Sequence, residues 1–393
     1  MIIRLKGEFL TGVTFLSLVV TACGGGGTDS TPATILAETT STSVAIVETT
    51  TTLTESTTTA LETTTTSNSV TTTTVVEVIM PSSGETYPPS DTGQTQSYTE
   101  VWGEDSDYTI LPSSYVDKGD GTVSDTVTAL IWQQQDDGIQ RGWGEAEVYC
   151  SELLLAGYAD WRLPDITELI SIADYGAENP VIDQLVFPTD GSVFRYSSAT
   201  PNPINRNQAW SADFTRGITT LDDKGTFGRV RCVRGEEIPP ASLVDSGNGT
   251  VTDYTTGLLW QQQGMDELSW EEAISYCEEL VLAGAGDWRL PNIKELQTIV
   301  DTSVLYPAVS RRYFPGIRSS FYWSSTSDWF TESIPLCNSS CAGGDPFSDG
   351  PYYGDNYVVE KYALSVWIEE GAVVSSAIGI GIDHAALCVR NGQ

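Results

Sequence analysis

One series of motifs occurs twice in this sequence, and that repeat restricts the fold more than any other feature. The motifs return in the same order, first copy and then second copy, at residues 117–125 and 245–253, 130–135 and 258–263, 143–150 and 270–277, and 160–164 and 287–291. Matching positions are 127 residues apart at Trp143 and 156 apart at Cys232. A repeat of this length predicts two domains that share one fold.

The limits of these domains follow from the repeat and from the composition around it. We predict a first domain at residues 98–238 and a second at 239–393, joined near Pro239. The spacing between the copies grows only after Trp323, so the second domain carries an insertion, which we place at about 327–362.

Local patterns in the second copy predict two helices and several short strands. Asn248-Gly249 favours a tight hairpin turn. Ser269 with Glu272 has the spacing of a capping box at the start of a helix. The apolar face of that helix comprises Trp270, Ala273, Ile274, Cys277, Leu280 and Val281. A second helix follows Pro291, and we therefore predict an α+β class, with two helices against a short antiparallel sheet in each domain.

The N-terminus has the features of an export signal. Arg4 and Lys6 precede an apolar stretch that is too short to span a bilayer, and small residues lead to Cys23. This ending resembles the lipobox of bacterial lipoproteins, which implies a signal peptide at residues 1–22 and a lipid on the Cys23 thiol. The resemblance also implies a surface-exposed protein of the cell envelope, held in the outer membrane, because Gly rather than Asp follows the cysteine. The alternative is an ordinary secretory signal with an incidental cysteine.

Residues 23–97 are rich in Thr and Ser and contain almost no aromatic side chains. No helical or alternating apolar period extends through them, so they cannot bury enough surface to offset the entropy of ordering. We predict a disordered stalk between the lipid and the first domain. The alternative is a β-rich domain of unusual composition.

Six cysteines remain when Cys23 is assigned to the lipid. Four of them occupy matching positions in the two copies, and the last two lie close together in the insertion. Symmetry and proximity therefore predict the bridges Cys150–Cys232, Cys277–Cys388 and Cys337–Cys341. Disulfides are the expected state outside the cytoplasm. Zinc is the alternative, but the one close pair lacks a second pair to complete a site.

The repeated string GTVxD, TGLxW, WxEAxxYC, LAGxxDWRLPxxxEL, WSS and CVR resembles the Lcl C-terminal domain family over residues 115–235 and 243–391. The resemblance implies a secreted or surface-displayed domain, and the collagen-like adhesin of this family binds sulfated polysaccharides. A weaker similarity extends to formylglycine-generating enzymes and to C-type lectin-like domains. It implies a C-type lectin-like fold in which a disulfide joins the first helix to the last strand.

The composition argues against catalysis and against nucleic-acid binding. The only histidine is His384, which nearly excludes His-based triads and His-rich zinc sites. A formal charge of -34 opposes binding to DNA or RNA and repels sulfated polyanions. The active-site cysteines of formylglycine-generating enzymes and the sugar-binding motifs of calcium-dependent lectins have no counterparts here. We therefore expect no enzymatic activity.

The acidic hairpin loops are the candidate metal site. Their residues are Asp117, Asp120, Asp125, Asp245, Asn248 and Asp253. Carboxylate and amide oxygens are hard ligands that suit calcium, the one candidate cofactor. The alternative is that these side chains only favour the turns.

The insertion in the second copy is the candidate ligand site. Its residues are Trp329, Phe347, Tyr352, Tyr353, Asp355, Asn356 and Tyr357. Aromatic faces beside amide and carboxylate groups are typical of sugar recognition. The alternative is a self-packed loop held by Cys337 and Cys341.

Two other features favour structural roles. Arg162 and Arg289 are each followed by a glutamate, Glu168 or Glu295, with which they can form an internal ion pair. His384 has no counterpart in the first copy.

These observations predict a lipid-anchored bacterial surface protein that binds glycans or surface proteins without catalysis. One alternative is an enzyme or accessory factor related to the formylglycine-generating group. The other is a structural lipoprotein of the envelope. The predicted partners are a membrane, through the lipid, and a glycan or surface protein, but no nucleic acid.

Overall fold

The first 85 residues form a separate unit from the rest of the chain. The structure, a computed structural model, describes residues 44–55, 68–79, 86–189, 194–318, 320–335, 357–378 and 383–392. In the first unit, strand β1 (Val44–Glu55) pairs antiparallel with strand β2 (Asn68–Ile79). Both strands are rich in Thr and Val, whose branched Cβ atoms favour an extended backbone.

This hairpin lies in the segment 23–97, whose composition predicts a disordered stalk. The predicted signal peptide at 1–22 and the predicted lipid attachment at Cys23 lie outside the described residues.

The first copy forms two antiparallel sheets and two helices. Its elements are β3 (Tyr115–Asp117), β4 (Thr122–Asp125), β5 (Ile131–Gln133), α1 (Trp143–Glu152), α2 (Ile166–Ser171), β6 (Arg195–Pro201), β7 (Gln208–Asp213), β8 (Ile218–Asp223) and β9 (Val233–Arg234). One sheet has the order β3-β4-β5-β9 and the other β6-β7-β8. Strand β9 therefore brings the end of the copy back beside its beginning.

The second copy repeats this plan and extends it. Its elements are β10 (Leu243–Asp245), β11 (Thr250–Asp253), β12 (Leu258–Gln261), β13 (Met265–Leu268), α3 (Trp270–Glu278), α4 (Ile293–Thr298), β14 (Phe321–Pro335), β15 (Tyr357–Trp367), β16 (Ala372–Ala377), β17 (His384–Ala386) and β18 (Val389–Asn391). The sheet orders are β10-β11-β12-β18 and β13-β17-β14-β15-β16. The ends of the predicted insertion, at about 327 and 362, lie in the paired strands β14 and β15, and residues 336–356 lie outside the described part.

The predicted α+β, C-type lectin-like class is wrong. In the described part of residues 86–393, four helices of six to ten residues stand beside sixteen strands in four sheets, so the fold is mostly β. The helix predicted to continue through Leu280 and Val281 ends at Glu278, and Val281 is 76% exposed. The prediction failed because short apolar runs between turns do not distinguish strands from loops.

Helix α3 starts at the capping box that the sequence predicts. The Ser269 hydroxyl accepts a hydrogen bond from the Glu272 N–H, and the Glu272 carboxylate accepts one from the Ser269 N–H. At the start of α4, the Asn292 side chain accepts from the Glu295 N–H at 2.9 Å. Among the described residues, no helix has the length and apolar character needed to cross a membrane.

Each copy is closed by its own disulfide bond, as the symmetry predicts. Cys150 bonds to Cys232, and Cys277 bonds to Cys388. Both bridges join the first helix of a copy to the residue directly before its last strand. The predicted Cys337–Cys341 bridge lies outside the described residues.

The two copies share one hydrophobic core within residues 86–393. A single cluster of buried side chains contains Trp132 from the first copy and Trp260 from the second. Helix α2 contacts α4, and strand β8 lies beside β16, where the Val373 N–H donates to the Thr219 hydroxyl at 2.9 Å. The copies therefore pack against each other as parts of one unit.

Residues 86–94, which we call the strap, lie between the copies. Three consecutive strap residues, Ser90, Asp91 and Thr92, are buried. The Gln94 amide donates to the carbonyl oxygen of Ser327 at 2.6 Å and accepts from the Ser327 N–H at 3.1 Å. The sequence places these residues in the stalk, whereas in the structure they pack against the repeated domains.

Candidate functional site

The structure places the predicted acidic residues in turns. Asp117 and Asp245 each accept a hydrogen bond from the backbone N–H two residues further on, at 2.7 and 2.8 Å, and these bonds lower the pKa of both carboxyls. Asp120 and Asn248 each accept from the N–H and the hydroxyl of a threonine two residues further on. These bonds hold the hairpin loops in shape.

The last acidic residue of each hairpin points inward. Asp125 accepts from the Thr128 hydroxyl at 2.7 Å, and Asp253 accepts from the Thr256 hydroxyl at the same distance. Within the described residues, no group of three or more His, Cys, Asp or Glu side chains is arranged to hold a metal ion.

Most of the predicted aromatic ligand site lies outside the described residues. Phe347, Tyr352, Tyr353, Asp355 and Asn356 belong to that part of the chain. The two remaining predicted residues, Trp329 and Tyr357, have backbones in β14 and β15, respectively.

The repeated arginines form the internal ion pairs that the sequence predicts. Arg162 donates two hydrogen bonds of 2.6 Å to the Glu168 carboxylate, and Arg289 makes the same two bonds to Glu295. The Glu295 carboxylate also accepts from the Asn292 N–H, so the pair fixes the start of α4. These residues are structural.

A cavity of about 300 Å³ lies where the two copies meet. Helices α2 and α4 form two of its walls, the strap forms a third, and the linker between the copies closes it with Ile238, Pro239 and Pro240. A volume of about 300 Å³ is at the lower end of the range for small-molecule sites. We take this cavity as the candidate functional site.

The two helical walls come from matching positions of the repeat but differ in chemistry. Where α2 has Thr167 and Ile170, α4 has Lys294 and Gln297, each 127 residues further on. At these two positions the first copy is therefore more apolar, and the second copy brings a cation and an amide.

Lys294 is buried, and protein oxygens occupy its amino group. It donates to the Ser90 hydroxyl at 3.2 Å and to the carbonyl oxygens of Asp91 and Ser171, both at 3.0 Å. Burial lowers its pKa to about 8, although the nearby Asp174 carboxylate opposes this shift. Since an ammonium group has three donors, Lys294 joins the strap, α2 and α4 and leaves none for a ligand.

Gln297 has an amide oxygen that is buried in the cavity wall. The side chain is 8% exposed, and within the described residues Oε1 accepts no hydrogen bond. An unpaired buried acceptor costs about 1–3 kcal/mol. Because Ile170 fills the matching position without that cost, packing alone does not explain a glutamine here.

The opposite wall supplies further polar groups. Asp165 caps α2 by accepting from the Glu168 N–H at 2.8 Å, and burial followed by the charge of Glu168 raises its pKa to about 6. The Thr200 hydroxyl accepts from the Ile166 N–H at 2.9 Å and, among the described residues, donates to no oxygen. Thr167 also lines this wall.

The sequence analysis did not identify this cavity, because it forms only when matching helices of two copies meet around the strap. The single local signal is the exchange of Ile170 for Gln297 between the copies. This exchange shows that the copies differ at this position. It does not show that the two side chains line the same cavity.

Comparison with known proteins identifies the repeated unit. A family model for the Lcl C-terminal domain matches residues 121–234 and 249–366, which together make up more than half of the chain. The matches include α1 and α2 in the first copy and α3 and α4 in the second, and therefore cover both helical walls of the cavity. No curated protein matches the chain.

Proposed function

We propose that this chain, which belongs to the Lcl C-terminal domain family, is a lipid-anchored surface protein that binds glycans or surface proteins without catalysing a reaction. Membership of this family indicates an adhesin-like surface protein. The observation that carries the proposal is the double family match, since two copies of an adhesin-type domain in one unit give a broad binding surface.

The chemistry of the described residues supports binding rather than catalysis. Among the described residues, the four cysteines are all in disulfide bonds, so these four offer no thiolate nucleophile. His384 packs against the rings of Trp323 and Phe321, with centroids 4.1 and 5.1 Å apart, and burial lowers its pKa. A buried imidazole of this kind does not reach a substrate.

The proposed anchor is a lipid on Cys23, after removal of residues 1–22. The mature chain would then stand on the outer membrane through residues 24–85 and present its repeated domains to the exterior. Mass spectrometry of the N-terminal peptide from membrane fractions tests this, because an acylated Cys23 adds the mass of the lipid. A chain that is recovered without the lipid and in the medium would contradict the anchor.

The binding function is tested on a glycan array with the chain from residue 24 onward, in the presence of calcium or of a chelator. We expect retention of a defined group of glycans. A signal that the chelator abolishes would implicate the acidic hairpins, and a variant at matching positions, Asp117→Asn with Asp245→Asn, would then lose it. An array without any bound glycan under either condition would contradict glycan recognition.

A further inference from the structure

We propose that the strap is a latch, which tension on the N-terminal side of the chain pulls away from the cavity between the copies while both copies stay folded. Release of the strap opens the cavity on one side and uncovers the amino group of Lys294. This inference rests on the proposed function in one respect, since a surface protein that is anchored at its N-terminus and bound at its domains is loaded along this path.

The strap lies where a pull on the N-terminal side enters the folded unit. Residues 1–85 form the separate unit before it, and strand β3, the first strand of the first copy, begins after it at Tyr115. Both disulfide loops begin later still, at Cys150 and Cys277. The strap is therefore outside the cross-linked parts of the chain, and its bonds lie in the path of the load.

The bonds of the strap follow one another along the chain. The Tyr87 N–H donates to the carbonyl oxygen of Thr255 at 2.6 Å, the Lys294 ammonium group holds the middle of the strap, and Gln94 bonds to Ser327 at its end. A pull from residue 86 loads these bonds in sequence rather than together. Bonds that are loaded in sequence break at a lower force than bonds that share the load.

Polar contacts hold the strap, whereas apolar burial holds the copies. Among the described residues, the members of the hydrophobic clusters all follow the strap in the chain. The ring side chains of the strap, Tyr87, Pro88 and Pro89, are only partly buried. A hydrogen bond contributes little net stability because water replaces the lost partner, but each copy also has buried apolar side chains and a disulfide bond. The strap should therefore leave before either copy unfolds.

The copies stay joined when the strap leaves. The Arg216–Asp328 ion pair and the hydrogen bond from the Val373 N–H to Thr219 both cross between the copies without involving the strap. The contact of α2 with α4 also remains. Release therefore opens the cavity at the wall that the strap forms and does not separate the copies.

Release changes the chemistry of the cavity at Lys294. Two acceptors of its ammonium group, the Ser90 hydroxyl and the carbonyl oxygen of Asp91, belong to the strap, and the third, the carbonyl oxygen of Ser171, belongs to the first copy. In the closed cavity all three donors are used, whereas the opened cavity presents a cation with two free donors. The latch thus covers a polar contact point in the unloaded protein and exposes it under load.

The first test stretches the chain in an optical trap, between a clickable handle at residue 85 and another at the C-terminus. Nine extended residues measure about 30 Å, so release of the strap should give a reversible first step of about 30–60 Å, depending on the direction in which the strap leaves. Unfolding of a copy gives a longer step, because about 35 residues precede the first cysteine of each copy and extend to about 120 Å.

Two variants assign the first step to the strap. Gln94→Leu removes the bonds to Ser327 and should lower the force of the first step. Gln140→Leu makes the same change at an exposed glutamine outside the strap and should leave that force unchanged. If Gln94→Leu does not fold, Ser90→Ala, which removes one acceptor of Lys294, takes its place.

The second test measures opening without tension, by the rate at which an amine-acetylating reagent modifies Lys294 relative to the exposed Lys118, read by mass spectrometry. We expect slow modification in the unmodified chain and a rate about tenfold higher in Gln94→Leu, which is the effect of losing one hydrogen bond. Val123→Ala weakens the core of the first copy and leaves the strap intact, so it should not raise the rate.

Two results would overturn the latch. One is a first event of about 120 Å or more with no shorter step before it. The other is a Lys294 modification rate that Val123→Ala raises as much as Gln94→Leu does, because the strap would then leave only when the copies unfold. Both tests use the protein without lipid and without ligand, so a latch that works in a chain that binds no glycan would stand while the proposed function fails.

Discussion

Arg289 and Glu295 form an ion pair that is almost fully buried, with side chains 7% and 1% exposed. The matching arginine in the first copy, Arg162, pairs with Glu168 in the same geometry, but its side chain is 25% exposed. Water thus reaches the arginine of the first pair more than that of the second, while both glutamates are buried. The repeat therefore offers the same interaction in two environments within one molecule.

This difference predicts unequal effects of the same substitution. Arg289→Met leaves the Glu295 carboxylate buried without its partner, and we expect it to lower the free energy of unfolding by about 3–5 kcal/mol. Arg162→Met should cost less, because the guanidinium that it removes is 25% exposed and already screened by solvent, whereas Glu168 is buried as Glu295 is. Urea unfolding of both variants measures the difference, and an equal or larger loss for Arg162→Met would contradict it.

Asp105 has a buried carboxyl group that connects the strap to the second copy. Its Oδ2 accepts from the hydroxyls of Thr92 at 2.7 Å and Thr326 at 2.6 Å. Its pKa is raised to about 6, chiefly by burial and also by the nearby charges of Asp91 and Glu295, against the lowering effect of the two hydroxyls. Between about pH 4 and pH 6 the folded protein therefore keeps a proton on Asp105. The unfolded chain, with a carboxyl pKa of about 3.9, has already released it.

The sign of the resulting pH dependence follows from linkage. The contribution of Asp105 to stability is fully present below about pH 4 and is lost as the pH rises through about 6. Asparagine does not ionise, so Asp105→Asn avoids this loss. As the pH rises from about 4 to 7, the free energy of unfolding of the variant should rise by about 1–3 kcal/mol relative to that of the unmodified chain. Urea unfolding at both pH values measures it, and the difference between the two proteins cancels the contributions of Asp165 and His384. A constant difference would contradict the assignment.

At the scale of elements, the capping box at Ser269 predicted the start of α3 correctly, whereas apolar periodicity misplaced the end of that helix. Asn292, Ser269 and Asp165 mark the helix starts, because each makes a local bond to the N–H three residues further on. The apolar periodicity suggested a helix through Val281, but the chain leaves the core after Glu278. Which strands pair depends on distant parts of the chain and could not be predicted from local patterns.

The candidate site shows the same limit of local patterns. Gln297 and Ile170 are individually ordinary helix residues, and only the contact of α4 with α2 places them on one space. The acidic hairpins were found from sequence because their turns are local. Residues of the strap could not be assigned, because their burial depends on both copies.

The disulfide bridges connect elements that are distant in the sequence. Cys277 and Cys388 are 111 residues apart, and Cys150 and Cys232 are 82 apart. In the chain-entropy model, a loop of about 100 residues gives about 4–5 kcal/mol of stability. Because the dependence on loop length is logarithmic, the two bridges should contribute nearly equally.

We therefore expect Cys150→Ala with Cys232→Ala, and Cys277→Ala with Cys388→Ala, each to lower the free energy of unfolding by about 4–5 kcal/mol. Both double variants keep the number of free thiols at that of the unmodified chain, so thiol exchange does not confuse the comparison. Urea unfolding under non-reducing conditions measures both losses. A loss confined to one variant would show that the bridges are not equivalent.

At the scale of the whole molecule, the copies are joined by more than the linker. They share a hydrophobic core, and the Arg216–Asp328 ion pair at 2.7 Å crosses between them. The hydrogen bonds of Gln94 to Ser327 connect the strap to the second copy. Lys294 adds bonds from α4 to both the strap and Ser171. Because the two copies share a core and a buried polar network, the unfolding of one copy exposes the buried surface of the other.

The unit formed by residues 86–393 should therefore unfold in one cooperative transition. Scanning calorimetry of the chain from residue 24 onward should give equal calorimetric and van't Hoff enthalpies for that transition. Gln94→Leu leaves Ser327 without its strap partner and should lower the melting temperature while the transition stays single, whereas Gln140→Leu at the exposed site should leave it unchanged. Two resolved transitions in the unmodified chain would mean that the copies fold independently, and a cavity that needs both copies would then open whenever either one unfolds.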